Sequence, residues 1–142
     1  MIGRLDELNQ LERFYNSSKF EFLTMYGRRR IGKTTILREF AGRHKALFFS
    51  AQEKNDSLNL LDFSKMVQTF FEGSFISSFQ NWEAAFEYIT GKISDKKLVL
   101  IIDEFPFLAE PNPSIKSILQ HTIDHVWKGK NIFLILCGSS VS

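Results

Sequence analysis

The stretch Gly27-Arg28-Arg29-Arg30-Ile31-Gly32-Lys33-Thr34 constrains this chain more than any other. It has the G-x-x-x-x-G-K-[ST] order of a phosphate-binding loop. Its surroundings suit that role. Phe20 to Tyr26 reads as a strand running into Gly27, and from Lys33 to about Arg43 the residues Ile36, Leu37, Phe40 and Ala41 share one helical face. Glycines let the backbone curl so that successive N–H groups face phosphate oxygens, and the following helix aims its positive end at the same anion. Lys33 can set an ammonium against the β- and γ-phosphates, and the Thr34 hydroxyl can ligate Mg²⁺. Thr35 adds a contact to the α-phosphate.

The rest of the chain alternates helices and strands. Leu5, Leu8, Leu11 and Phe14 recur every third residue as an apolar stripe on a first helix, and Ala46 to Phe49 forms a short second strand. Two helices follow. One runs from Leu58 to Phe71 with Phe63, Met66, Val67, Phe70 and Phe71 at helical spacing. The other starts after Asn81, a good N-cap, and carries Trp82, Ala85, Phe86, Ile89 and Ile93. Leu98 to Ile102 is a strand covered on both faces. Pro111 and Pro113 mark a turn. A helix follows with Ile115, Ile118, Leu119, Ile123, Val126 and Trp127, and Ile132 to Cys137 is the last strand, ending at Gly138. Alternation of this kind means an α/β fold with a parallel sheet and right-handed crossovers.

In an open parallel sheet, ligands bind at the carboxyl ends of the strands. Asp103-Glu104 lies there, directly after the Leu98 to Ile102 strand. Asp103 is the candidate holder of Mg²⁺, directly or through water. Glu104 is the candidate base that orients and deprotonates a water for in-line attack on the γ-phosphate. Gly138-Ser139-Ser140 follows the last strand, and a hydroxyl there could bond the γ-phosphate or the water. Ser139 ranks above Ser140, although nothing in the sequence separates them firmly.

Composition excludes several other classes. The 142 residues carry 18 Lys+Arg against 16 Asp+Glu, a net charge of +2, too small to imply nucleic-acid binding by itself. No apolar run reaches the roughly 20 residues of a bilayer span, and Arg4, Asp6 and Glu7 interrupt any signal peptide, so a cytoplasmic domain with no membrane partner is expected. One cysteine, Cys137, leaves no internal disulfide and no cysteine-built zinc site. The 15 phenylalanines predict a Phe-rich core.

Tyr26 to Thr34, Ile102-Asp103-Glu104-Phe105-Pro106 and Cys137-Gly138-Ser139-Ser140 together resemble the prokaryotic, archaeal-type ATPase family, in the AAA+/STAND branch of P-loop NTPases. Ile2-Gly3-Arg4 with Glu7-Leu8 is similar to the Gly-Arg-x-x-Glu-Leu box that opens such modules, although Leu5 stands where an acidic residue is common. The resemblance implies a three-layer α/β/α domain over residues 1–142, with ATP or ADP and Mg²⁺ as cofactors. It places Ile2, Gly3 and Arg4 near the adenine and ribose. Gly27 to Thr35 becomes the phosphate loop (Walker A), Asp103 the Walker B aspartate and Glu104 the catalytic glutamate. Ser139 or Ser140 takes the sensor position. Relatives continue into a fifth strand, an arginine and a helical lid. By analogy the sheet order is 1-4-3-2 with its first strand unprotected, so the chain is expected to be the N-terminal part of a longer protein, with weakened nucleotide affinity and turnover.

Three activities fit. The first is an ATPase coupling Mg²⁺-dependent hydrolysis to conformational change. The second is a nucleotide switch or scaffold that hydrolyses seldom. The third is a P-loop kinase, which Asp103-Glu104 argues against because a kinase should avoid activating water. A nucleic-acid reading of Arg28, Arg29 and Arg30 needs further Lys/Arg clusters on one face, and none stands out in the sequence. His121 and His125 share a helical face but lack a third ligand and read as surface residues. Cys137 reads as a buried thiol without a base beside it. The nucleotide is the partner these residues specify. Self-association, and a protein or nucleic acid met through a C-terminal region lacking here, stay open.

Overall fold

The apolar runs Leu98–Ile102 and Ile132–Cys137 have no polar side to turn to water, and they occupy the two central places of the sheet. The computed structural model describes residues 2–27 and 32–139, residues 2–4 by their backbone alone. The elements are α1 (Ile2–Asn16), β1 (Glu21–Gly27), α2 (Lys33–His44), β2 (Leu47–Ser50), α3 (Asp56–Glu72), α4 (Trp82–Thr90), β3 (Leu98–Asp103), α5 (Pro106–Ala109), α6 (Ser114–His125), a 3₁₀ turn (Trp127–Gly129) and β4 (Ile132–Ser139). The strands pair in parallel in the order β1-β4-β3-β2, the order expected.

Strand periodicity divides the core in two. Ile132, Leu134 and Leu136 of β4, with Leu100 and Ile102 of β3, face the layer built from α3, α4 and α6. Phe133, Ile135 and Cys137, with Val99 and Ile101, face α1 and α2. The architecture is therefore three-layer α/β/α. Six of the 15 phenylalanines are buried: Phe40, Phe49, Phe63, Phe86, Phe105 and Phe133. The others line the rims of the two layers or reach solvent. Both tryptophan N–H groups are satisfied, Trp82 by Asp56 at 2.9 Å and Trp127 by the Thr90 hydroxyl at 2.8 Å. Glu12 ties α1 to α2 through His44 at 2.7 Å and Arg43 at 3.3 Å, and Tyr15 stacks on the His44 ring at 3.7 Å.

Four expectations need correction. Leu8 and Leu11 are buried but Leu5 is 62% exposed, because a three-residue spacing falls behind the helix by about 60° per step and the stripe winds off the buried side. α4 stops at Thr90, capped at Gly91, so Ile93 packs from a loop. α6 stops at His125, leaving Val126 outside the helix and Trp127 in the 3₁₀ turn, where its ring fills the core. β4 runs on through Gly138 and Ser139, because Tyr26 and Gly27 of β1 pair with them. The short helix α5 has no periodic signature in its four residues.

Phe63 is fully buried, with ring centroids 5.2 Å from Phe49, 5.0 Å from Trp82 and 6.2 Å from Phe86. Phe63→Ala is expected to lower unfolding free energy by about 3–5 kcal/mol in urea denaturation. A loss under about 1 kcal/mol would contradict this packing.

Candidate functional site

Parallel pairing brings the ends of β1, β4 and β3 to one edge, and the residues at these ends are Gly27, Ser139 and Asp103. Helix α2 begins at the same edge. Gly32 precedes it at φ 82°, ψ 16°, a left-handed conformation that strains any residue with a β-carbon, and a β-carbon there would meet nothing within 4 Å. Backbone conformation, rather than space, demands glycine here. With no side chain at Gly32, the first-turn amides of α2 have no side-chain cap from that position, which is the arrangement an anion uses.

Lys33 is only 6% exposed. Its Nζ donates to the carbonyl oxygens of Gly138 at 2.8 Å and Gly27 at 3.1 Å, so the ammonium bridges the ends of β4 and β1. Thr34 Oγ1 donates to Asp103 Oδ2 at 3.2 Å, joining α2 to β3. Thr35 sits exposed in the first turn of α2. The buried Asp103 carboxylate also accepts the Glu104 amide on Oδ1 at 2.9 Å. Cys137 Sγ approaches the same oxygen at 3.3 Å. Burial, then the charge of Asp103, pushes the Cys137 thiol upward, so it stays protonated and donates.

Glu104 has φ 55°, a conformation that costs a residue with a side chain on the order of 1 kcal/mol. Bonds on either side impose it. Asp103 is held in the sheet by the Ala51 amide, 3.0 Å from its carbonyl, and the Phe105 amide donates 2.9 Å to the Cys137 carbonyl. The chain therefore turns at Glu104, whose Oε1 lies 3.4 Å from the Ser139 amide. Pro106 of α5 then packs against Gly138. A β-carbon there would come within 2.9 Å of Pro106 Cδ and 3.1 Å of Tyr26 Cε1. Beside this turn a cavity of 440 Å³ opens between Tyr26, Phe105, Pro106 and Lys116.

Gly27, Lys33, Thr34, Asp103, Glu104 and Ser139 thus meet at one edge in two hydrogen-bonded groups, Lys33 with the Gly27 and Gly138 carbonyls and Thr34 with Asp103, Glu104 and Ser139, and Gly32 adjoins them. Arg28, Arg29, Arg30, Ile31 and Ser140 lie outside the described residues. Ile2, Gly3 and Arg4 open α1, and their side chains lie outside the description. Among described residues, no group of three or more His, Cys, Asp or Glu could hold a metal ion by itself. A Mg²⁺ here would draw on one carboxylate and one hydroxyl plus ligand oxygens. Two contributors escaped sequence reasoning. Cys137 supports Asp103, and Gly138 admits Pro106. Both residues stand in the Cys137–Ser140 motif, but these contacts had no signal beyond position at the end of an apolar strand.

A parallel β1-β4-β3-β2 sheet, covered on both faces, with Gly32 opening a helix after β1, is the fold of a P-loop NTPase. A family described as an ATPase domain predominantly from Archaea matches residues 1–142, and the chain belongs to that family. An uncharacterized protein of Methanocaldococcus jannaschii is 33% identical over 141 residues, covering 99% of this chain and 30% of its own length. An uncharacterized ATP-binding protein of the same organism is 41% identical over 44 residues, covering 31% of this chain and 75% of its own. Among solved structures, Cdc6p from Pyrobaculum aerophilum superposes with TM-score 0.62 at 19% identity, over 96% of this chain and 39% of that one. Drosophila ORC bound to DNA superposes at 0.59 and 14% identity, over 98% and 38%. The last two establish the fold alone. The chain spans about a third of the length of the first relative.

Gly138→Ala is expected to destabilise the fold by about 1–3 kcal/mol through overpacking against Pro106 and Tyr26. Urea denaturation measures this, and a neutral result would mean that α5 is not seated against β4.

Proposed function

We propose that this chain is an ATP-binding ATPase domain whose site lies between the first turn of α2 and the ends of β1, β3 and β4. The carrying observation is the Thr34 Oγ1 to Asp103 Oδ2 bond at 3.2 Å, with buried Lys33 on one side and Glu104 on the other. An anion-seeking helix end, a single ammonium, a hydroxyl, a carboxylate and a second carboxylate are the parts that phosphoryl transfer to water requires. Thr34 and Asp103 are oxygen donors at one point and fit Mg²⁺, which would neutralise charge on the β- and γ-phosphates when bound.

In this reading the first-turn amides of α2 and Lys33 hold the triphosphate. Lys33 exchanges its carbonyl partners at Gly27 and Gly138 for phosphate oxygens, which links occupancy of the site to the ends of β1 and β4. Glu104 accepts a proton from the attacking water, and the Ser139 amide beside Oε1 keeps the carboxylate turned toward the β4 end. Ser139, at the end of β4, is the residue proposed to sense the γ-phosphate. Adenine as the base, with contacts from Ile2, Gly3 and Arg4 and from Arg28, Arg29, Arg30 and Ile31, is part of the same proposal, and the match to an ATPase domain family supports it.

Two variants test this. Lys33→Ala is expected to abolish Mg²⁺-ATP binding in calorimetry, and unchanged affinity would remove the phosphate-site assignment. Glu104→Gln is expected to keep binding while slowing single-turnover hydrolysis by about 10²-fold or more. Equal rates for Glu104→Gln and the unaltered protein would leave a nucleotide-binding switch in place of an ATPase.

A further inference from the structure

Every strand of the sheet is entered through a lysine two residues upstream: Lys19 before Glu21, Lys45 before Leu47, Lys96 before Leu98 and Lys130 before Ile132. Parallel pairing collects all four at one edge, opposite the Asp103–Glu104 end, in the spatial order Lys19, Lys130, Lys96, Lys45. Strands lie about 4.8 Å apart, so the row extends roughly 15 Å across the edge. All four side chains are exposed, and none forms an ion pair among the described residues. Lys92, Lys97 and Lys128 stand at the same edge, facing Glu72, Glu21 and Asp124 respectively; Asp95 lines the edge too, and Glu12 is held there by His44 and Arg43. Lys97 is buried and bonded to the Ser17 hydroxyl and the Lys19 carbonyl, which fixes the first lysine of the row against β3.

Helix C-termini near this edge explain why a lysine is favourable at each strand entrance. They do not explain what lies between the lysines. A groove of 560 Å³ has Phe20 with Lys19, Lys128 and Lys130 in its walls. Asn131, also in its wall, donates from Nδ2 to the Asp95 carbonyl at 2.6 Å, which ties the loop before β3 to the entrance of β4. A second groove of 270 Å³ has Phe70 and Phe71 beside Lys45, Lys92 and Lys96. Ser94 lines both and stands between them. Phe70 is 41% exposed.

We propose that this lysine edge is a binding surface for single-stranded nucleic acid, separate from the nucleotide site. A row of ammonium groups suits a phosphate backbone, and half-open phenyl rings suit unstacked bases. A duplex keeps its bases stacked and cannot use the rings, and a vesicle surface cannot enter the grooves. The proposal stands whether or not the chain hydrolyses ATP, because none of these residues belongs to that site.

Fluorescence anisotropy with a labelled 12-nucleotide oligo(dT), titrated from 50 to 200 mM NaCl, tests it. Four phosphate contacts predict a slope of log K against log salt of about −3. The variant Lys19→Gln/Lys45→Gln/Lys96→Gln/Lys130→Gln is expected to lose at least tenfold in affinity and to flatten that slope, while the corresponding four Lys→Arg changes retain both. Phe70→Ala is expected to lose about fivefold or more with the slope unchanged. Absence of binding at 50 mM NaCl would overturn the proposal. So would undiminished binding by the Gln variant (which would move the contact to the Arg28–Arg30 end), or a preference for a hairpin duplex or anionic vesicles.

Discussion

A buried ammonium is costly unless something close by accepts its protons, and the carboxyl edge of this sheet is organised around that requirement. Lys33 has two main-chain carbonyls, one from the last residue of β1 and one from Gly138 of β4. It can reach both because β1 and β4 are neighbours in parallel register, which in turn follows from the order β1-β4-β3-β2. Neutral carbonyls are weaker partners for a cation than phosphate oxygens, so the same geometry that satisfies Lys33 also prepares it to change partners.

The acidic half of the site rests on the tight join between β3 and β4. Asp103 takes hydrogen bonds from Thr34, from the Glu104 amide and from Cys137, while Phe105 is pinned to the Cys137 carbonyl. Glu104, caught between these fixed points, adopts a left-handed backbone that an unconstrained glutamate would avoid. Strain at a carboxylate facing the end of a neighbouring strand is the kind of local cost that functional sites retain. Gly138 completes the join, since any side chain there would push Pro106 and Tyr26 away.

Much of this was legible beforehand. Uninterrupted apolar runs identified the central strands, Asn81 read as an N-cap does cap α4 through its side-chain oxygen, and the spacing from Gly27 to Thr34 located the turn into α2. What stayed hidden depends on contacts between distant residues. Periodicity could not tell that Leu5 would wind off the buried face, or that Trp127 would leave its helix to fill the core. It could not tell that ladder pairing with Tyr26 and Gly27 would carry β4 past Gly138. The lysines before each strand lie far apart in sequence, and only parallel pairing turns them into a row. Likewise, Cys137 gains meaning only beside Asp103.

The most direct measurement is a set of backbone amide chemical shifts recorded while Mg²⁺ and a non-hydrolysable ATP analogue are added. Capture of a triphosphate at the α2 end should move Lys33, Thr34 and Thr35 most, with Asp103, Glu104 and Ser139 following, and should leave Lys19, Lys45, Lys96 and Lys130 in place. Saturating nucleotide that leaves the first turn of α2 unshifted, or that perturbs the lysine edge instead, would contradict the assignment of this end of the sheet as the nucleotide site.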